Sequence, residues 1–160
     1  MKKLVLITVF SCLMTGTFAQ QNLTSAQKSF QNSIVSFLKE EGYTPTIDGD
    51  GWIAFKSEGK SHWIRIFNES PFFIVFSRSG FKLGGDDGFE FPASLWACNE
   101  VNKELDAVKM YCLAESISIN IEQYSRSAED FKYVFYKNLN VLTEAAKQFV
   151  EKYNEFQNDQ

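Results

Sequence analysis

His62 is the single histidine of the chain, and Cys98 and Cys112 are two of its three cysteines. A Ser-His-Asp or Cys-His unit would have to use His62, yet no nucleophile elbow accompanies it. It shares strand parity with Ile64 and Ile66, which assigns it a structural or rim position at the end of a sheet. One histidine with two thiols also falls short of the usual four-ligand zinc set. Gly80-Phe81-Lys82-Leu83-Gly84-Gly85 has neither the spacing nor the following helix start of a phosphate loop. Asp48-Gly49-Asp50-Gly51 begins like a calcium loop but lacks the later ligands and the closing Glu, so it reads as hairpin-turn chemistry. Asp86, Asp87 and Glu90 set three hard oxygen groups close together and are the weak candidates for Ca²⁺; the alternative is a solvated loop. Glycoside chemistry needs two carboxylates at a defined separation, and nothing promotes one pair over another. The expectation is therefore no catalytic residue and no cofactor.

The two remaining cysteines bear on location. Lys2 and Lys3, the apolar run Leu4 to Met14 and the small-x-small site Thr17-Phe18-Ala19 make residues 1–19 a secretory signal peptide. The expected address is the periplasm or cell exterior, with a style of signal that looks bacterial. A rival reading lipidates Cys12 in Val9-Phe10-Ser11-Cys12; the bulky Phe10 and the short preceding run favour the first. Removal of the signal takes Cys12 away and leaves Cys98 and Cys112, which an oxidising compartment permits to pair. The pairing requires Cys98 on a helix that turns back near Asp106 onto a strand carrying Cys112; the alternative is two buried free thiols. No later segment is long and apolar enough to cross a bilayer as a helix.

With Lys2 and Lys3 gone, the formal charge of −4 becomes −6. Nucleic-acid backbones are excluded as partners on that ground, because phosphate binding needs clustered Lys and Arg. The other compositional signal is aromatic: sixteen Phe, six Tyr and three Trp in 160 residues. Residues 20–160 are long enough for one domain with a real core, and no repeat, low-complexity tract or Pro-rich linker divides them. The ordered part is expected over about 24–156.

The elements follow from periodicity and punctuation. Thr24 or Ser25 caps a first helix with Phe30, Ile34, Phe37 and Leu38 on one face, ended by Gly42. Strands are predicted over Tyr43 to Ile47, Trp52 to Lys56, His62 to Phe67 and Phe72 to Arg78, joined by tight turns as a meander. An irregular stretch from Ser79 to Pro92 precedes a second helix over about Ala93 to Leu105, with Leu95, Cys98, Val101 or Asn102, and Leu105 sharing a face. Strands Val108 to Ala114 and Ile117 to Tyr124 come next. Ser127 caps a long last helix that buries Phe131, Phe135, Leu142, Ala146, Phe149 and Tyr153. The order α-β-β-β-β-α-β-β-α predicts an α+β fold with an antiparallel sheet and helices mainly on one face.

Alternation puts Ile53, Phe55, Ile64, Ile66, Ile117, Ile119 and Ile121 on the core side. The opposite parity carries Trp52, Ala54, Trp63, Arg65 and Phe67, and the strand from Phe72 to Phe76 is apolar on both sides. Aromatics where Lys, Glu and Thr would be ordinary mark a surface for contact. Trp52, Trp63, Arg65, Phe67 and Phe72 are the candidate binding residues. A loop or chain terminus lying over this face is the alternative, and an aggregation-prone edge a third.

Two stretches resemble the YbjN-like family: Ile34 to Tyr43 followed by Asp50-Gly51-Trp52-Ile53-Ala54-Phe55-Lys56, and Asn99-Glu100-Val101-Asn102-Lys103 followed by Val108-Lys109. The element order is similar to the type III secretion chaperone-like fold of that family, over roughly residues 25 to 155. The resemblance implies a non-enzymatic interaction module, since such chaperones dimerise and wrap a disordered segment. An exported chain departs from the cytosolic roles of the family, so the fold carries over and the named functions do not. The leading expectation is an exported binding protein that holds a peptide or protein segment, or its own dimer mate, on the aromatic face. The runner-up is a small exported enzyme or Ca²⁺-dependent ligand binder built on the loop 80–92.

Overall fold

The computed structural model describes residues 23–67, 71–84 and 88–159. Residues 1–19, with the signal peptide and Cys12, and the pair Asp86 and Asp87 lie outside the described residues.

Helix α1 (Ser25–Glu40) starts on a complete capping box: the Thr24 hydroxyl accepts from the Gln27 N–H while the Gln27 side chain accepts from the Thr24 N–H. Beyond its C-terminus Gly42 takes φ +85°, a left-handed conformation suited to glycine. The strands are β1 (Thr46–Ile47), β2 (Ile53–Ser57), β3 (Lys60–Phe67) and β4 (Phe72–Arg78). Helix α2 (Phe91–Glu104), β5 (Val108–Cys112), β6 (Ile117–Ser125) and α3 (Ala128–Asn158) complete the chain. The predicted α+β order is the observed one. All pairings are antiparallel, in the sheet order β1-β2-β3-β4-β6-β5.

The expected boundaries need four corrections. The first strand is only Thr46–Ile47, because Tyr43 leaves the chain direction to stand edge-on to Phe55 at 5.2 Å. Strand β3 begins at Lys60, since Glu58 and Gly59 both take positive φ and make the turn in two residues. Helix α2 begins at Phe91, where Pro92 suits a first turn that needs no N–H donor. Strand β5 stops at Cys112, short of Ala114. Leu95 is also not a core residue: it is exposed, and α2 buries Ala93, Ser94, Ala97, Cys98 and Val101 instead. These small side chains let α2 lie close to α3.

All three helices bury their apolar faces with the sheet side that carries Ile53, Phe55, Ile64, Ile66, Ile119 and Ile121. The centre of that core is aromatic. Phe135 of α3 stacks on Phe76 of β4 at 5.6 Å and meets Phe55, Phe37 and Tyr43 within about 6 Å. Farther along α3, Phe149 stacks on Phe81 at 4.8 Å and meets Phe89 edge-on. Those two contacts tie down both ends of the Gly/Asp-rich loop. Gly80 in the same loop passes so near β6 that an added Cβ would stand 1.7 Å from the Ile117 carbonyl oxygen. At the far edge, Asn102 of α2 uses its side-chain amide to accept from the Met110 N–H (2.8 Å) and to donate to the Met110 carbonyl (3.0 Å). It thereby pairs the open edge of β5 with α2.

Phe135→Ala is expected to cost about 3–5 kcal/mol of unfolding free energy, since the cavity would open at the hub of the core. Tyr133→Ala, at a position 92% exposed on the same helix, should stay within about 0.5 kcal/mol. Denaturant unfolding of both variants measures the contrast.

Candidate functional site

The sheet side away from the helices carries Trp52, Ala54, Trp63, Arg65, Phe67, Phe73, Val75, Ser77, Asn120, Glu122, Tyr124, Lys109 and Tyr111. Direct cross-strand partners fix this set: Ala54 faces Trp63, Trp63 faces Ser77, Arg65 faces Val75, and Phe67 faces Phe73. On the next pair Phe73 faces Tyr124, Val75 faces Glu122, and Ser77 faces Asn120, which in turn faces Lys109. Trp52, Trp63, Arg65 and Phe67, all predicted from parity, are half-buried and lie together.

Phe72 does not belong with them. It is buried on the helix side and packs on Phe30 of α1 with ring centroids 4.5 Å apart. The aromatic that β4 gives to the open face is its neighbour Phe73, because a one-residue step along a strand reverses the side. Phe73 lies 6.0 Å from Phe67 and 5.2 Å from Tyr124, which makes a three-ring row across β3, β4 and β6.

Arg65 holds the centre of the face. Its guanidinium carbon stands 4.5 Å over the Trp52 ring and 5.7 Å from that of Phe67. Such contacts are worth about 0.5–1 kcal/mol where water has access. Across the sheet, Glu122 accepts from Lys109 at 2.5 Å and from the Tyr111 hydroxyl at 2.9 Å. The Lys109 hydrogen bond holds the Glu122 carboxyl below its usual range against the opposing effect of burial, and Tyr111 and the charge of Arg65 act in the same downward direction.

A groove of about 530 Å³ opens beside this arrangement. Trp52, Trp63 and Arg65 form one wall; the strand-like segment from Ser77 to Lys82 and the turn Leu113 to Ser118 form the others. Its charged side chains are Arg65 and Lys82 against Glu115; Arg78 also lines it, but strand parity and its pairing with His62 and Ile119 set its side chain toward the helix side. None of the three cations forms an ion pair with a described carboxylate. Sequence parity finds the tryptophan wall, whereas Arg78, Lys82 and Leu113 come to the site through pairing: Lys82 bridges Ser116, and the Ile117 N–H donates to the Phe81 carbonyl. No periodicity announces that contact.

The other predicted residues separate. Glu90 precedes α2 as its cap residue; its carboxylate accepts from Gln157 at 3.3 Å, and its N–H donates to the Tyr153 hydroxyl at 3.1 Å. No group of three or more metal-binding side chains occurs among the described residues. In the Asp48 turn, the Asp48 carboxylate accepts from the Asp50 and Trp52 N–H groups, which is turn chemistry as expected. Cys98 is buried and Cys112 half-buried, with their sulfurs 3.5 Å apart as thiols. No described helix is long and apolar enough to cross a membrane.

His62 sits on the core side, 1% exposed and stacked on Phe55. Its Nδ1–H points at the Lys60 carbonyl oxygen, 3.1 Å away, which leaves Nε2 as a bare acceptor. Burial, with help from the charge of Arg78, lowers its pKa from 6.5 to about 4 against the Lys60 hydrogen bond. No protein-family model, curated protein or solved structure matches this chain.

A histidine held neutral makes acid destabilising. The folded protein binds fewer protons than the unfolded chain between pH 6.5 and pH 4, so stability should be full above pH 6.5 and fall as pH drops through that window. The His62 share amounts to about 3 kcal/mol. Unfolding free energies of the parent and His62→Gln at pH 4.5 and 7.5 check this: the variant should lose less on acidification, by about 2 kcal/mol.

Proposed function

We propose that the protein is an exported, non-enzymatic binding module that holds a peptide or protein segment on the open sheet face and in the groove beside it. The observation that carries this reading is the composition of that face. Two tryptophans, Phe67, Phe73 and Tyr124 stand on the side of the sheet opposite all three helices, with Arg65 stacked among them. Aromatic rings with an arginine are the usual anchors of protein contacts. The groove adds a preference. Its apolar wall with Arg65 and Lys82 suits a segment that presents an aromatic or aliphatic side chain next to a carboxylate. The resemblance to the YbjN-like family points the same way, as do the leader-like residues 1–19, which supply the exported address.

Affinity selection from a random peptide library on the mature protein tests the proposal. Trp52 and Trp63 both line the groove, so their fluorescence reports occupancy. Selected peptides should be enriched in an aromatic or aliphatic residue beside Asp or Glu. Trp63→Asp and Arg65→Glu should each weaken binding at least about tenfold, the scale of a hot-spot contact. Equal affinity in both variants sinks the reading. Light scattering on the same samples separates the homodimer version, in which the parent is a dimer and either variant a monomer.

A further inference from the structure

Cys98 and Cys112 take no part in the face or the groove, yet they are placed with unusual care. Cys98 lies on α2 and Cys112 at the end of β5, each packed into or against the core. Asn102, one turn after Cys98, is hydrogen-bonded through both ends of its amide to Met110, two residues before Cys112. That pair of hydrogen bonds holds helix and strand at fixed height. The sulfurs meet at 3.5 Å, and closing to a disulfide of about 2.05 Å brings them roughly 1.5 Å nearer.

We infer that Cys98 and Cys112 are an oxidisable dithiol in which Cys112 attacks an incoming disulfide and Cys98 then resolves it, leaving a cross-link between α2 and β5. The order follows from access: Cys98 is 2% exposed, while Cys112 is half-buried and ends an edge strand. Burial raises the pKa of both thiols; the hydrogen bond between them offsets part of that rise on Cys112 and adds to it on Cys98, so Cys112 is the easier of the two to ionise.

The chemistry balances with a small disulfide as oxidant. Cys112 gives its proton to solvent and its sulfur bonds to one sulfur of the oxidant; the oxidant's S–S bond breaks and the released thiolate takes up a proton. Cys98 then gives up its proton, and its sulfur displaces the second thiolate from Cys112. One disulfide is reduced to two thiols and one protein disulfide forms. The cross-link closes a loop of about 15 residues. Leu113, the residue after Cys112, lines the groove, so the bond would also anchor that wall.

Native protein treated with glutathione disulfide at neutral pH provides the test, read by intact mass and thiol alkylation. The parent should become two hydrogens lighter with no alkylatable thiol, and its melting point should rise by roughly 10 °C relative to the reduced form. Cys98→Ala should stop as a single glutathione adduct on Cys112, and Cys112→Ala should react at least about tenfold more slowly, as burial slows thiol exchange. Alanine fits both sites by size, and the melting point of each variant verifies folding. Two alkylatable thiols in the parent at equilibrium, or a stable glutathione adduct on it, overturns the dithiol. Equal rates for the two variants overturn the order of attack.

Discussion

The stacking of Phe135 on Phe76 is the contact around which the other elements arrange themselves. Phe76 lies on β4, one of the two central strands, and Phe135 comes from a helix of 31 residues. Around this pair, α1 contributes Phe37, the chain after it Tyr43, and β2 Phe55. Each ring touches rings from a different element, so the long helix, the first helix and the meander are fixed by one cluster. Fully buried rings of this size carry much of the transfer free energy of a small core. Because α3 also carries Phe149, the same helix anchors Phe81 and Phe89 at its other end, and the loop between β4 and α2 takes its course from there.

A helical layer held so firmly on one side decides the character of the other. Strand alternation sends every second residue away from α3, and whatever stands there must be stable without a covering helix. Most antiparallel sheets meet that condition with charged and hydroxyl side chains. Here β5 and its neighbour β6 do so in part, through Lys109, Tyr111 and Glu122, while β3 and β4 present rings. Arg65 reconciles the two. Its guanidinium stands over Trp52 and covers part of that ring, while Arg65 itself stays half-buried, so the apolar surface is reduced without the arginine being lost to the core.

Legibility in the sequence followed the range of each interaction. Capping at Thr24, the turns at Asp48 and Glu58, and the parity of Ile53, Phe55, Ile64 and Ile66 are local, and they were readable with the full order of elements. Trp52, Trp63, Arg65 and Phe67 were readable for the same reason. Phe72 was not, because five successive apolar residues conceal parity and only the pairing of Phe67 with Phe73 resolves it. Leu95 misled through its type: helix α2 buries Ala93, Ala97 and Val101, and the larger side chain is left outside. Arg78, Lys82 and Leu113 reach the groove through the insertion of β6 between β4 and β5, a non-local pairing with no signature in the strands themselves.

The cations of the groove differ in what they offer a ligand. Arg65 stacks on Trp52 and also feels the charge of Glu122, so an arriving carboxylate would compete with an acid already in place. Lys82 stands on the opposite wall without an ion-pair partner among the described carboxylates, whereas Arg78 pairs with His62 and acts on it from the helix side. The two walls therefore divide the work: the tryptophan wall supplies area and shape through Trp52, Trp63 and the stacked Arg65, and Lys82 on the facing wall supplies charge. A segment lying across the groove satisfies both only if its apolar and acidic groups are adjacent, which is a stricter demand than either wall makes alone.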